Sequence, residues 1–253
     1  MEFIRRPKMR YGEPDFDRDY LTWGFHDEET QQSEARSVLG LVKSERPLRI
    51  LDLGCGPGVH AVTWASQGHY VSGIDLSATF IDEARRRADK AGVTIDLCVA
   101  DVRSVAPAAP FDLITWIERP FFDLSICRRI AEWLAPGGMF VTDVRNPEHP
   151  RTKKRQGEWK SWRKEGRRYL LESHGSATED GHIEDLWITI DCDRGTVLEE
   201  YQITDNSNKL LPLDEQKATL REAGLRQAEI WTLSGERFEG QSEPYWLWLT
   251  ATR

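Results

Sequence analysis

The stretch Ile50–Leu51–Asp52–Leu53–Gly54–Cys55–Gly56–Pro57–Gly58, ILDLGCGPG, decides how the rest of the chain is read. A short, mostly apolar run stops at Gly54, Gly56 and Gly58, and helix-like sequence follows. That order predicts a buried parallel strand, a tight turn and a helix N-terminus. Glycine at these positions removes the Cβ that would keep a ligand off the backbone. The helix start beyond offers unpaired N–H groups and a partial positive charge. Such a loop predicts a nucleotide-like or carboxylate-bearing ligand.

Working outward, strands are expected at about Arg49–Leu53, Tyr70–Ile74, Thr94–Val99, Phe111–Ile117 and Met139–Val144. Between them the periodicity predicts helices. Asp27 to Ser44 places Ala35, Val38, Leu39 and Val42 on one face and ends before Pro47; Val59 to Ser66 stops at Gly68. Ser77 caps a helix with Ile81, Ala84 and Ala88 inward, closed by Gly92. Cys127, Ile130, Ala131 and Leu134 form the inner stripe of another, and Pro136–Gly137–Gly138 reads as a turn. Strand–helix alternation on this scale means a parallel sheet covered on both faces.

The texture changes after Asn146–Pro147. Nine Lys and Arg residues fall between 151 and 168, and strand-like runs follow at Arg168–Ser173, His182–Asp191 and Thr196–Thr204, separated by turn sequence. A helix at Asp214–Ala223 and strands at Leu225–Leu233 and Tyr245–Thr252 close the chain. The expected organisation is an N-terminal strap or lid at 1–26, whose aromatics Tyr11, Phe16, Tyr20, Trp23 and Phe25 exceed what a plain tail carries. A ligand-binding α/β domain is expected at 27–147 and 206–253, with a β-rich insertion at 148–205.

Charge and composition exclude several classes. The chain has 253 residues and a formal net charge of −8, which argues against a general nucleic-acid or anionic-membrane binder. The four cysteines, Cys55, Cys98, Cys127 and Cys192, form no C-x-x-C pair and read as reduced, buried, apolar side chains of a cytoplasmic protein; no metal site is expected. No run approaches the length of a membrane span, and the start MEFIRRPKMRYG lacks the apolar core of an export signal.

The glycine spacing separates two nucleotide-binding devices. Dinucleotide-binding dehydrogenases need G-x-G-x-x-G; here the spacing is G-x-G-x-G, with Asp52 just before the loop and His60 just after it. Asp75 lies 21 residues past Gly54 at the end of the second strand, the place for a carboxylate that accepts both ribose hydroxyls of a nucleoside. Asp101 ends the third strand, where it can accept from an adenine amino group while Val102 packs on the ring. Asp52, Gly54 and Gly56 surround the place for a carboxylate and an amine, and the backbone at Ile117–Glu118 can accept from the same amine.

The series LDLGCGPG, GIDLS (Gly73–Ser77), ADV (Ala100–Val102), FDLITWI (Phe111–Ile117) and LAPGGMFV (Leu134–Val141) resembles, in order and spacing, that of class I S-adenosylmethionine-dependent methyltransferases. PLDEQKATLREAGL (Pro212–Leu225) is similar to the helix before their last two strands. The resemblance covers roughly 45–145 firmly and 210–253 loosely. It implies an α/β, Rossmann-like, doubly wound seven-stranded sheet of order 3-2-1-4-5-7-6 with the last strand antiparallel. It further implies S-adenosyl-L-methionine as cofactor and S-adenosyl-L-homocysteine as product. The ligand contacts it carries over are Asp52, Gly54, Gly56, Asp75, Leu76, Asp101, Val102 and Ile117. It also makes the insertion similar to the small antiparallel sheet over the acceptor site of small-molecule methyltransferases.

Methyl transfer from a sulfonium needs alignment of an acceptor lone pair and exclusion of water; an amine must be neutral and a hydroxyl needs a base. The expected reaction is transfer to a small-molecule N or O acceptor. Residues expected to face the acceptor are Glu118, Arg119, Arg145 and His149. Glu118–Arg119–Pro120–Phe121 matches poorly the (Asn/Asp)-Pro-Pro-(Tyr/Phe) motif of enzymes that methylate amino groups of nucleic acid and protein. Three other readings stay open: a non-catalytic S-adenosylmethionine or S-adenosylhomocysteine sensor, an RNA methyltransferase using the basic segment 151–168, and, disfavoured by the loop spacing, a nucleotide-dependent oxidoreductase. That basic segment reads more simply as a solvated strand edge. The acceptor atom and the oligomeric state are open.

Overall fold

Strand β1 (Arg49–Leu53) is buried on both faces from Ile50 onward, which is why three of those four residues are apolar. Ile50 joins a core layer with Leu113, Val71, Val141 and Trp248, while Leu51 and Leu53 join the opposite layer with Ile74, Ile114, Phe140 and Leu249. The computed structural model describes residues 12–23, 27–106, 110–118, 123–146, 149, 158–164, 167–177, 182–209, 211–240 and 243–253. Across β1 lie β2 (Tyr70–Asp75) and β3 (Asp96–Val99) on one side. On the other lie β4 (Phe111–Trp116) and β5 (Leu134–Arg145). All these pairings are parallel.

Helices α1 (Pro14–Trp23), α2 (Glu28–Val42), α3 (Val59–Ser66), α4 (Ala78–Ala91) and α5 (Leu124–Trp133) accompany the parallel strands. After β5 comes a separate antiparallel sheet of β6 (Glu158–Lys164), β7 (Arg167–Ala177), β8 (His182–Asp191) and β9 (Thr196–Lys209), in chain order. Then α6 (Leu213–Glu222) leads to β10 (Arg226–Thr232) and β11 (Trp246–Thr252). Strand β11 inserts between β5 and β10 and runs antiparallel to both. The seven-stranded sheet therefore reads β3-β2-β1-β4-β5-β11-β10, the expected 3-2-1-4-5-7-6 order.

Local chemistry explains the element ends. Asp27, Ser77 and Asp123 each accept a backbone N–H as N-caps of α2, α4 and α5. Gly92 closes α4 in the left-handed region at φ +69°. Gly58 at φ +83° opens α3, and a Cβ there would stand 2.7 Å from the Cβ of Ala84, so the loop and α4 touch only because Gly58 has no side chain.

Three expectations need correction. Pro136–Gly137–Gly138 does not break the chain before the fifth strand: β5 starts at Leu134, and the turn is absorbed as a bulge where pairing with β4 jumps from Phe111↔Leu134 to Leu113↔Met139. Part of the basic run forms β6, the edge strand of the antiparallel sheet, as the strand-edge reading expects. The last strand of that sheet runs to Lys209, beyond the expected strand end at Thr204. Cys55 and Cys127 are buried, but Cys98 is exposed on β3, the outermost strand. Residues 1–11 and 151–157, with Tyr11, Phe25 and Pro120–Phe122, lie outside the described residues.

Candidate active site

The carboxyl ends of β1, β2 and β4 meet around the glycine loop. Gly54 and Gly56 hold φ of +63° and +53°, conformations that side chains resist. A Cβ on Gly54 would press on Trp116 Nε1 at 3.3 Å, whereas one on Gly56 would project into open space. The Gly56 amide turns toward Asp75, whose Oδ2 accepts from it at 2.8 Å and whose Oδ1 accepts from Ser77 N at 2.8 Å. A carboxylate has about four lone-pair directions, so acceptor capacity remains for two hydroxyls. Burial raises the Asp75 pKa against these two bonds, and the charge of Asp17 raises it further.

Asp52 is 2% exposed at the carboxyl end of β1. Its Oδ1 accepts from Thr115 Oγ1 at 2.8 Å, while its Oδ2 is buried with no hydrogen-bond partner among the described residues. Burial pushes its pKa up to about 6; the His60 charge and the Thr115 bond pull it down, and the Asp75 and Glu118 charges add to the rise. A buried, orphaned carboxylate oxygen is expensive and is suited to an incoming cationic donor.

Beyond β4, Ile117 buries its side chain in the core layer with Trp64 and Trp248, so only its backbone is offered to a ligand. Glu118 adopts φ +63°, held by two elements: its N–H donates to Asp143 Oδ1 at 2.8 Å, and its Oε1 accepts from Gln31 Nε2 at 3.0 Å. Asp143, from β5, is buried, and its pKa rises to about 7 through burial and then the Glu118 charge.

His60, on the first turn of α3, is 7% exposed, with Nε2 3.2 Å from Glu34 Oε2 of α2. Burial lowers its pKa, but the Glu34 bond and the charges of Asp52, Glu118 and Glu34 outweigh that, and the net direction is upward. Gln31, Glu34, Thr115 and Asp143 were not singled out from the sequence, and His60 entered only as a marker of the glycine spacing. They come from α2, α3, β4 and β5, and no spacing connects them.

The remaining expected residues are placed as follows. Leu76 is exposed at the end of β2 and lies against Gly12: a Cβ added there would be 3.3 Å from the Leu76 side chain. Asp101 is engaged by Arg103 through Nε (3.0 Å) and Nη2 (2.6 Å), which holds its pKa below the ordinary value. Val102 is partly buried against the core layer of Leu51 and Ile74. Arg145 lies over the Trp246 ring at 5.2 Å. His149 is buried, sharing a hydrogen bond of 2.9 Å with Glu243 and an edge contact with Tyr245. Arg145 and His149 thus mark the β5–β11 side, apart from the Asp52–Asp75 centre; Arg119 lies outside the described residues.

Helix α1 reaches the same rim. Phe16 is fully buried, Tyr20 packs on Phe80 with ring centres 5.4 Å apart, and buried Asp17 accepts from Gly12 N at 3.1 Å. A separate cavity of about 530 Å³ opens beside Asn146, Leu213, Lys217, Arg237 and Phe238, and none of the glycine-loop residues line it.

A strand–glycine loop–helix with a carboxylate at the end of the neighbouring strand defines a nucleoside-binding α/β protein. Comparison with known proteins narrows the class. Residues 50–138 match the family model described as a methyltransferase domain. The cypemycin N-terminal methyltransferase of Streptomyces sp is 30% identical over 126 residues, 46% of this chain and 50% of that protein. A ubiquinone biosynthesis O-methyltransferase of Chelativorans sp. (strain BNC1) is 39% identical over 102 residues, 38% of this chain and 40% of that protein. The chain thus spans half or less of these curated relatives' length. The structure of the sugar N-methyltransferase KedS8 from Streptoalloteichus sp ATCC 53650 superposes with a TM-score of 0.71 over 100% of this chain and 98% of that chain, at 20% identity, a likeness of fold. Over residues 50–138 the chain is thus similar to methyltransferase domains, and its fold is the one that the solved sugar N-methyltransferase shares.

Proposed function

We propose that the protein transfers a methyl group from S-adenosylmethionine to a small-molecule amine or hydroxyl. The observation that carries this reading is the orphaned Oδ2 of Asp52 beside a backbone loop open at Gly56. An ammonium group satisfies that oxygen, the N-terminal turn of α3 suits a carboxylate, and Asp75 suits a ribose diol. The printed names of the relatives, an N-terminal and an O-methyltransferase among them, support a nitrogen or oxygen acceptor.

When bound, S-adenosylmethionine supplies an activated methyl group on a positively charged sulfur. The chain's part is to hold and to exclude water. Asp52 and the loop from Gly54 to Gly58 orient the methionyl end, and Asp75 orients the ribose. Asp101, in competition with Arg103, and Val102 border the base. Glu118, fixed by Gln31 and the Asp143 bond, is the acceptor-side carboxylate, placed to accept a proton from an amine or hydroxyl. The acceptor-facing roles of Arg119, Arg145 and His149, the strap or lid at 1–26 and the roof at 148–205 belong to the same proposal.

Calorimetric titration with S-adenosylhomocysteine against NAD tests the cofactor. Binding of the first and not the second is expected; the reverse, or no binding at millimolar ligand, overturns the reading. Transfer of labelled methyl to a panel of small amines and alcohols then tests the activity. Ligand binding with no turnover on any acceptor would favour a sensor instead.

A further inference from the structure

We propose that His60 is a positioning residue: a buried imidazolium, clamped by Glu34 beneath the glycine loop, that keeps the Asp52 carboxylate anionic for the amine of the methionyl end. The inference rests on the cofactor reading above and adds to it a residue that never touches the ligand.

The geometry is specific. His60 follows the loop directly, two residues past Gly58, and its ring stacks on Trp64 at 5.8 Å between centres with 28° between planes. Trp64 in turn donates its indole N–H to Ala35 O of α2 at 2.9 Å, so α2 and α3 together fix the imidazole. Glu34 sits one residue before Ala35 and meets Nε2 at 3.2 Å. A carboxylate can only accept, so the proton of that bond belongs to Nε2.

The charges that act on His60 come from three elements. Glu34 lies on α2, Asp52 on β1 and Glu118 beyond β4. Asp75 at the end of β2 acts on Asp52, and Glu118 and Glu34 act on Asp143 of β5. Among the described residues, the charges that act most on Asp52 are the His60 cation, which lowers its pKa, and the Asp75 and Glu118 carboxylates, which raise it. Several carboxylates pressed into a dry space drive one another toward protonation. A protonated Asp52 has no charge to offer an ammonium group. A fixed cation close by restores that charge without occupying Oδ2, which stays open for the ligand.

The test uses the full chain and two ligands, S-adenosylhomocysteine and 5′-methylthioadenosine, which shares the nucleoside but lacks amine and carboxylate. For the parent chain, S-adenosylhomocysteine affinity falls as pH drops through about 6, where Asp52 takes up a proton. In His60→Gln that fall moves to higher pH, so at pH 7 S-adenosylhomocysteine binds about tenfold more weakly while 5′-methylthioadenosine is unchanged. Equal losses for both ligands would mean a packing role and overturn the proposal. An unmoved pH profile would overturn it too. A direct imidazolium contact to the ligand carboxylate predicts the opposite sign, affinity lost as pH rises, and would also overturn it. Should His60→Gln not fold, Glu34→Gln decides: the same selective loss, smaller, supports the clamp, and no selectivity sinks it. Failure of the parent chain to bind either ligand would instead remove the cofactor reading itself.

Discussion

Where the strands of the central sheet begin, Asp112 accepts from Arg46 at 2.6 and 3.2 Å and from the Arg49 amide at 2.8 Å, and the Leu48 amide donates to His69 Nδ1 at 3.0 Å. Where they end, Asp52 keeps a bare oxygen, and Asp143 is buried beside Glu118. The same residue type therefore titrates in opposite directions. Arg46 holds Asp112 below the ordinary carboxylate range, whereas burial lifts Asp52 to about 6 and Asp143 to about 7. The starting edge shows what a chain does when polar groups need only be satisfied. The finishing edge keeps acceptor capacity unmet, an arrangement folding alone does not require.

The largest contrast is expected in the backbone. Gly58 and Gly68 both have left-handed φ, +83° and +88°, but a Cβ on Gly58 meets Ala84 at 2.7 Å while one on Gly68 meets nothing within 4 Å. Gly58→Ala should cost about 3 kcal/mol in denaturant unfolding and Gly68→Ala about 1 kcal/mol, the difference being the clash. Equal costs would erase the distinction between the edges at this level. Next, Asp75→Ala should weaken S-adenosylhomocysteine binding on the order of 100-fold in a calorimetric titration, through two lost hydroxyl bonds to a charged group. A change of less than about threefold would detach Asp75 from the site.

A smaller effect concerns pH. Unfolded carboxylates titrate near 4, so between that value and the folded values of about 6 and 7 the folded chain holds protons on Asp52 and Asp143 that the unfolded chain has lost. Stability of the unliganded protein therefore falls as pH rises through this window. The raised His60 acts in the same direction, since its contribution is lost as pH passes its folded value. The more exposed Asp101 and Asp112 work the other way, screened by solvent. Urea unfolding should show the protein more stable at pH 5 than at pH 7.5, by on the order of 1–2 kcal/mol. The opposite slope would break the comparison. Smallest of all, Asp112→Asn should barely move the unfolding midpoint, because Arg46 is exposed and an amide oxygen still accepts from Arg49 N.

The parallel core was legible because burial on both faces writes a mostly apolar run: the bounds of β1 and α3 agree with the sequence reading to the residue. Strand β6, EWKSWRK, carries charge at four of seven positions and hid among basic residues, since an edge strand of a small sheet needs no apolar run. Helix α1 was read only as an aromatic strap, although Pro14 at its first position is a start signal. Asp52, Gly54, Gly56 and Asp75 were legible because one loop and one strand end fix their spacing. Gln31, Glu34, His60 and Asp143 were not. Each is an ordinary polar residue on its own element, and only the stacking of α2, α3 and β5 around β4 brings them together.

Trp116 offers a practical consequence. Its indole lies against the bend at Gly54, with Nε1 3.3 Å from where a side chain would begin, and only 9% of the residue meets solvent. Any guest in that chamber alters the polarity around this ring, so the protein carries its own optical probe. Among ten tryptophans, the difference in emission between the parent chain and Trp116→Phe isolates that signal, and occupancy can be followed without a label.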